Sequence, residues 1–288
     1  METREPDTEE IAELYDELID TYEAEWERRG HRSLHLEYYD EDHDDPGSAA
    51  INTMRVLSEA TDIDASDRIL NIGCGAGEDS VWNARAYGAT VVGVNISERQ
   101  LELARENARI HEVDDLTTFA YDDFHDLDTI EDDSVDVVWG LEALSHSPDR
   151  RRVLEQALRV LDEGGRVAFT DIFLRSTEYS KRDQARIEQV NDGLGLWVGP
   201  VQEFEETLRD LGFENIEMRE VTDAVRPCTK RRHQFARIAH PLGRVLRVFG
   251  VFSRAQLDAF KASSNIHKLI TNETLGYYVI TADAPRST

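Results

Sequence analysis

The stretch Ile69-Leu70-Asn71-Ile72-Gly73-Cys74-Gly75-Ala76-Gly77-Glu78-Asp79 decides the fold. Ile69, Leu70 and Ile72 read as a buried strand, the glycines as a turn, and Glu78 and Asp79 as the start of a helix. Glycine has no Cβ, so Gly73, Gly75 and Gly77 let the backbone turn sharply and approach a ligand closely. The two carboxylates suit the positive end of a helix dipole. They also narrow the ligand. A dinucleotide fingerprint spaces its glycines G-x-G-x-x-G and holds a pyrophosphate at the helix N-terminus. Here the third glycine comes one residue early, and two acids follow that would repel a phosphate. No Gly-Lys-Ser/Thr follows, so a P-loop is excluded. A ligand with an adenosine and no phosphate fits this turn.

Outward from the turn, strands and helices alternate. Ser80 to Tyr87 reads as a helix ended by Gly88, and Thr90 to Val94 as the second strand. That strand ends in Asn95, about twenty residues after the glycines, where Rossmann domains read ribose hydroxyls. An Asn can donate and accept there. Ser97 and Gln100 have capping-box spacing for the next helix, Gln100 to His111. Thr117 to Ala120 is the third strand, followed by Tyr121-Asp122-Asp123-Phe124. Val135 to Gly140 is the fourth, followed by Leu141-Glu142-Ala143-Leu144-Ser145-His146. Open α/β sheets bind ligands at the carboxyl ends of central strands, so Glu142 and His146 are expected to border the site. Either side chain can take a proton.

A helix over Arg151 to Leu161, a turn over Asp162 to Gly165 and a fifth strand over Arg166 to Asp171 come next. Phe204 to Leu211 reads as a helix and Ile216 to Val221 as the sixth strand. Helical periodicity runs through Phe235 to Phe252. Tyr277 to Thr281 is the last strand, expected antiparallel at the sheet edge. Before the glycine turn, residues 7–29 carry Ile11, Leu14, Tyr15, Leu18, Tyr22 and Trp26 at three- and four-residue spacing, an amphipathic helix. It either packs on the domain or caps the ligand at the glycine turn. Ala49 to Thr61 is a second helix. The acidic loop Asp40 to Asp45 lacks calcium-loop spacing. The cluster Lys230-Arg231-Arg232 is either a solvated helix start or a seat for a ligand's carboxylate.

Taken in order, the motifs from Arg68 to Thr170 resemble those of the class I S-adenosylmethionine-dependent methyltransferases. They are the glycine turn, Asn95-Ile96-Ser97-Glu98-Arg99, the run Leu141 to Arg150, and Arg159-Val160-Leu161-Asp162-Glu163-Gly164-Gly165. Tyr22-x-x-x-Trp26 and Leu34-His35-Leu36 resemble the sarcosine/dimethylglycine N-methyltransferases in particular. Tocopherol C-methyltransferases and sugar O-methyltransferases carry similar motifs. The chain departs from the family at Asn71 and Asn95, where acids are usual.

The resemblance implies a Rossmann-like α/β fold, a seven-stranded mostly parallel sheet with helices on both faces. It divides the chain into an N-terminal helical cap (1–66), a cofactor-binding core (67–225), a helical lid insertion (226–274) and the last core strand with a tail (275–288). The cofactor would be S-adenosylmethionine, held by Tyr15, Tyr22, Trp26, Gly73, Cys74, Gly75, Gly77, Asn95, Ile96, Gln100 and Leu141. Asp123 would accept from the adenine amino group, with Phe124 flanking the ring and Asp122 as the fallback. His146 and Glu142 would be the catalytic candidates, and no metal is implied. The acceptor would be a small molecule. One option is a glycine derivative such as sarcosine or dimethylglycine, methylated on nitrogen. The other is a lipophilic quinone, terpenoid or sugar, methylated on carbon or oxygen. A non-catalytic S-adenosylmethionine-binding protein is a further class. A nicotinamide-dependent oxidoreductase would need the third glycine one position later.

Composition sets the partners. The chain has 288 residues and a net charge of −27. Lys181, Lys230, Lys261 and Lys268 are its only lysines, and the other 28 basic residues are Arg. Acidic excess with scarce Lys reads as a halophile's surface, hydrated by carboxylates whose repulsion high salt screens. Such a charge opposes nucleic-acid binding. Cys74 and Cys228 form neither a metal spacing nor a disulfide framework. No signal peptide and no apolar run near eighteen residues is seen. A soluble cytoplasmic protein is expected, without nucleic-acid or membrane partners.

Overall fold

The computed structural model describes residues 11–19 and 31–285. Seven strands make one sheet: β1 (Arg68–Ile72), β2 (Thr90–Asn95), β3 (Thr117–Tyr121), β4 (Val135–Leu141), β5 (Leu161–Leu174), β6 (Glu214–Glu220) and β7 (Leu275–Asp283). Their order is β3-β2-β1-β4-β5-β7-β6. The first five pair in parallel. β1 and β4 are buried along nearly their whole length, as strands covered on both faces must be, and they read as near-continuous apolar runs. The order reverses between β1 and β4, which opens a crevice at their carboxyl ends. The architecture is the Rossmann-like one expected.

β7 is antiparallel to both its neighbours, β5 and β6. It does not form the edge, as the sequence reading had it; β6 does. The burial of the two strands gives the reason. Leu275 to Ile280 are all buried, whereas β6 exposes Glu214, Asn215, Glu217, Arg219 and Glu220. A charged, half-solvated strand suits an edge. A second difference lies at Asp162–Gly165. These four residues bulge out inside β5, because Val135 pairs with Leu161 and Val137 already pairs with Arg166.

The helices are α1 (residues 11–19), α2 (Pro46–Ala60), α3 (Glu78–Tyr87), α4 (Glu98–Ile110), α5 (Arg150–Val160), α6 (Lys181–Leu194), α7 (Val201–Asp210), α8 (Thr222–Leu246) and α9 (Arg254–Thr271). α8 and α9 lie between β6 and β7 in the chain. The region read as one helical stretch, Phe235 to Phe252, is thus two helices. α8 begins much earlier and carries Pro227 and Pro241 within it, while α9 opens on a Ser253–Gln256 capping box. α9 packs on α6, where Asn265 Nδ2 donates to Gln189 Oε1 at 2.9 Å and Asn272 Nδ2 to Asp183 Oδ1 at 3.0 Å.

α8 is tied to residues 31–39 by the basic cluster. Arg231 pairs with the fully buried Glu37 at 2.5 Å and also donates to the Tyr39 hydroxyl. Arg232 Nη2 donates to the carbonyls of Leu34 at 3.0 Å and His35 at 2.9 Å. Removing one partner of a buried ion pair strands the other charge, which costs about 3–5 kcal/mol. Arg231 is about one-third exposed, so solvent screens part of the pair and the loss falls at the low end. Arg231→Ala should therefore lower the free energy of unfolding by about 2–3 kcal/mol in denaturant titration at fixed salt. Adding Glu37→Gln should restore part of it. Equal losses in the single and double variants would show that no stranded carboxylate is involved.

Candidate active site

A cavity of about 830 Å³ lies at the carboxyl ends of β1, β2 and β4. Its volume is within the range of small-molecule and cofactor pockets. The glycine turn forms its floor. Gly73 and Gly75 hold φ of 65° and 53°. A Cβ on Gly73 would come within 3.1 Å of the Ala143 Cβ, so the turn passes directly beneath the loop that follows β4. Cys74 lines the cavity, and burial pushes its thiol well above the ordinary range, which makes it a packing residue rather than a nucleophile. Gly77 lies outside the cavity. A Cβ there would meet Ala104 at 2.7 Å, so this glycine serves the close packing of α3 on α4.

One end of the cavity is lined by Asn95, Ile96, Gln100, Asp123 and Phe124. Asn95 Nδ2 donates to Gln100 Oε1 at 2.7 Å, and Asn95 Oδ1 accepts from Ser97 N at 3.2 Å. The Ser97 hydroxyl accepts from Gln100 N at 3.2 Å, which caps α4, but the Gln100 side chain turns to Asn95 instead of closing the box. Gln100 Nε2 is left buried without a hydrogen-bond partner. Asp123 faces the cavity. Asp122 turns away and accepts from the backbone N–H groups of Asp128 and Thr129. Sequence reading missed His125, which also lines the cavity and bridges Asp123 Oδ1 at 2.6 Å and Ser147 Oγ at 2.8 Å. An adenosine fits this end: an orphaned amide donor, a carboxylate and an aromatic ring converge on it.

Beside the glycine turn, Asn71 Nδ2 donates to Ser80 Oγ at 2.8 Å, and its Oδ1 is buried without a protein partner. Asp79 lines the cavity here, accepting from Trp139 Nε1–H at 3.3 Å. Burial raises its carboxyl to about 6. The acid missing at position 71 thus has a buried carboxylate nearby at position 79. In the sequence Asp79 served only the helix dipole.

The loop after β4 carries Leu141, Glu142 and His146, all lining the cavity. His146 Nδ1 lies 2.9 Å from the carbonyl oxygen of Gly195, which can only accept. The proton therefore sits on Nδ1, and the lone pair of Nε2 accepts the Tyr15 hydroxyl at 2.8 Å. Burial lowers His146 to about 4 and keeps it neutral. The turn that presents it is held by Asp171 at β5, whose Oδ2 accepts from Ser145 N at 2.7 Å. Glu142 sits in the left-handed region, φ 54°, a conformation that costs a non-glycine residue about 1 kcal/mol or more. Its Oε1 accepts from Leu36 N at 2.5 Å and from the Tyr277 hydroxyl at 2.9 Å. Burial raises this carboxyl to about 7.

The remaining walls come from segments the sequence read least well. α1 contributes Ile11, Ala12, Tyr15 and Leu18, and the segment after it Leu34, His35 and Leu36. His35 Nδ1 donates to Leu36 O at 3.1 Å, and its Nε2 is buried without a partner. The far wall is apolar: Ile172, Leu194, Leu196, Phe235, Phe252, Phe260 and Ile266. Tyr22 and Trp26 lie outside the described residues. Among the described residues no group of three or more His, Cys, Asp or Glu is placed to hold a metal ion.

A methyltransferase-domain family model matches residues 63–198. The 27-O-demethylrifamycin SV methyltransferase of Amycolatopsis mediterranei (strain S699) is 33% identical over 282 residues, 97% of this chain and 98% of the relative. The sarcosine/dimethylglycine N-methyltransferase of Halorhodospira halochloris is 32% identical over 189 residues, 65% of this chain and 66% of the relative. Among solved structures, the (4+2)-cyclase SpnF superposes with a TM-score of 0.81 at 22% identity, covering 98% of each chain, a likeness of fold. This chain therefore belongs to the class I S-adenosylmethionine-dependent methyltransferases and transfers the methyl group of that cofactor to a small molecule.

Proposed function

We propose that the acceptor is a hydroxyl group on a large, mostly apolar small molecule. The observation that carries this reading is the fate of Arg231 and Arg232. A glycine derivative brings a carboxylate, which needs a cation or a fork of donors to leave water. Arg231 already serves Glu37, and Arg232 donates to two backbone carbonyls. The far wall of the cavity is mostly aromatic and aliphatic, with Thr229, Gln256 and Ser263 as its polar members. The whole-length relative named for 27-O-demethylrifamycin SV supports an oxygen acceptor.

When bound, S-adenosylmethionine supplies a methyl carbon on a positively charged sulfur. The residues of this chain bind, align and exclude water. Gly73, Gly75, Asn95, Gln100, Asp123 and Phe124 would hold the adenosine end, and Asn71 and Asp79 the end near the turn. Apolar walls keep the transfer dry, which favours a reaction that disperses charge, and holding the reactants in line supplies much of the rate. An attacking hydroxyl must also lose a proton. Glu142 is the better-tuned acceptor, since a general base works best with a pKa near the operating pH. His146, locked between the Gly195 carbonyl and the Tyr15 hydroxyl, would act as a positioning residue that fixes the Tyr15 side chain in the cavity wall.

Two measurements test this reading. Labelled methyl transfer should proceed with hydroxyl-bearing apolar acceptors, 27-O-demethylrifamycin SV among them, and not with glycine, sarcosine or dimethylglycine. Turnover of sarcosine would overturn it. Glu142→Gln should lower kcat by about 10²–10⁴-fold while leaving S-adenosylhomocysteine binding intact in calorimetry. The carboxylate is the active form, so the wild-type rate should fall as pH drops through about 7, and the variant should lose that inflection. An unchanged profile would remove Glu142 as the base.

A further inference from the structure

The chain's charge is unevenly spread. From Ala224 to Leu257 there is no acidic residue and there are eight basic ones, in a protein whose net charge is −27. The same stretch bares its apolar side chains. Phe235, Ile238, Leu242, Val245, Val248 and Val251 are all more than half exposed, and Val248 reaches 82%. At ~100° per residue, Phe235, Ile238, Leu242 and Val245 fall within an arc of about 80° on α8, and the exposed Arg237 and Arg244 flank it about 80–100° further round. Gly243 and Ala236 lie on the buried side. A helical stretch with an apolar stripe, Arg beside it and no acid after Asp223 in the first turn has the composition of an element that lies in a lipid interface.

The stripe is continuous with the active-site cavity. Phe235 belongs to both: it is 60% exposed, lines the cavity, and packs edge-on to Phe260, another cavity residue, at 5.7 Å between ring centroids. We propose that the outer face of α8 and the turn after it, Ile238 to Val251, dock on an anionic lipid surface. The cavity mouth at Phe235 then opens at the hydrocarbon, where a lipophilic acceptor collects. No described helix is long and apolar enough to cross a membrane, so the contact is a surface one. The acids elsewhere do not forbid it, because charges beyond about 10 Å are screened at ordinary salt. A second copy of this chain is a poor occupant, since two such faces would bring Arg against Arg. The docking stands apart from the identity of the acceptor; only the acceptor's route depends on that reading. It departs from the sequence expectation of no membrane partner, which rested on the lack of an apolar run near eighteen residues.

Co-sedimentation with vesicles tests it without any methyl acceptor. Wild-type protein that binds S-adenosylhomocysteine should pellet with phosphatidylglycerol-containing vesicles, pellet little with pure phosphatidylcholine, and release as salt rises. Leu242→Glu with Val245→Glu should cut the bound fraction about tenfold or more, with cofactor binding unchanged. Each of Arg237→Gln, Arg244→Gln and Arg247→Gln should lower partitioning about fivefold. Three outcomes would overturn the proposal. They are no binding to anionic vesicles, binding indifferent to the Leu242/Val245 variant, or a concentration-dependent dimer or acidic-protein complex that the same variant abolishes while vesicles are ignored.

Discussion

One contact governs the rest of the structure: the glycine turn after β1 pressed beneath Ala143. Gly73 takes a backbone conformation that side chains disfavour, and it does so where a Cβ would crowd Ala143. Ala143 belongs to the loop that also carries Glu142 and His146. The floor of the cavity and the edge that carries these two side chains are therefore one packed unit. Because the strand order reverses between β1 and β4, that unit sits in the crevice, and every other wall is built around it.

Desolvation then works on both kinds of titratable group in the crevice, with opposite signs. It raises the carboxyls of Glu142, Asp79 and Asp171, because the charged form is penalised, and lowers His146 for the same reason. Each buried group is held by donors or acceptors of fixed direction: Leu36 N–H and Tyr277 O–H on Glu142, Ser145 N–H on Asp171, the Gly195 carbonyl on His146. A dry cavity and a carboxyl raised toward neutral pH are thus two results of one cause.

Much of this was legible in the sequence because it is local. Strands β1 to β4, the helices between them and the loop from Leu141 to His146 announce themselves by apolar runs, glycines and their order. What stayed hidden is what depends on neighbours. Whether Asp122 or Asp123 faces the cavity is set by hydrogen bonds to Asp128 and Thr129, which no spacing reveals. Gly77 looked like its two companions, but its constraint comes from Ala104 on another helix. The basic cluster invited an anion from outside, and the anion proved to be Glu37, nearly two hundred residues earlier. The order of β6 and β7 turns on which strand is wet. The start of α8 was obscured by Pro227, although the Ser253–Gln256 box that opens α9 was in plain view.

The placement of α8 and α9 between two paired strands has an evolutionary consequence. The helical pair leaves the sheet after Glu220 and returns at Leu275. Just beyond the break, Val221 N donates to Tyr277 O at 2.8 Å, and Tyr277 N to the Thr222 hydroxyl at 3.0 Å. The ends of the excursion are thus stitched together at its root. A segment closed in this way behaves as a cassette. Its length and lining can drift, or be exchanged for another, without disturbing the strands that carry the glycine turn. Descendants of one ancestor can in this way share a methyl donor and a sheet while diverging in the molecules they modify.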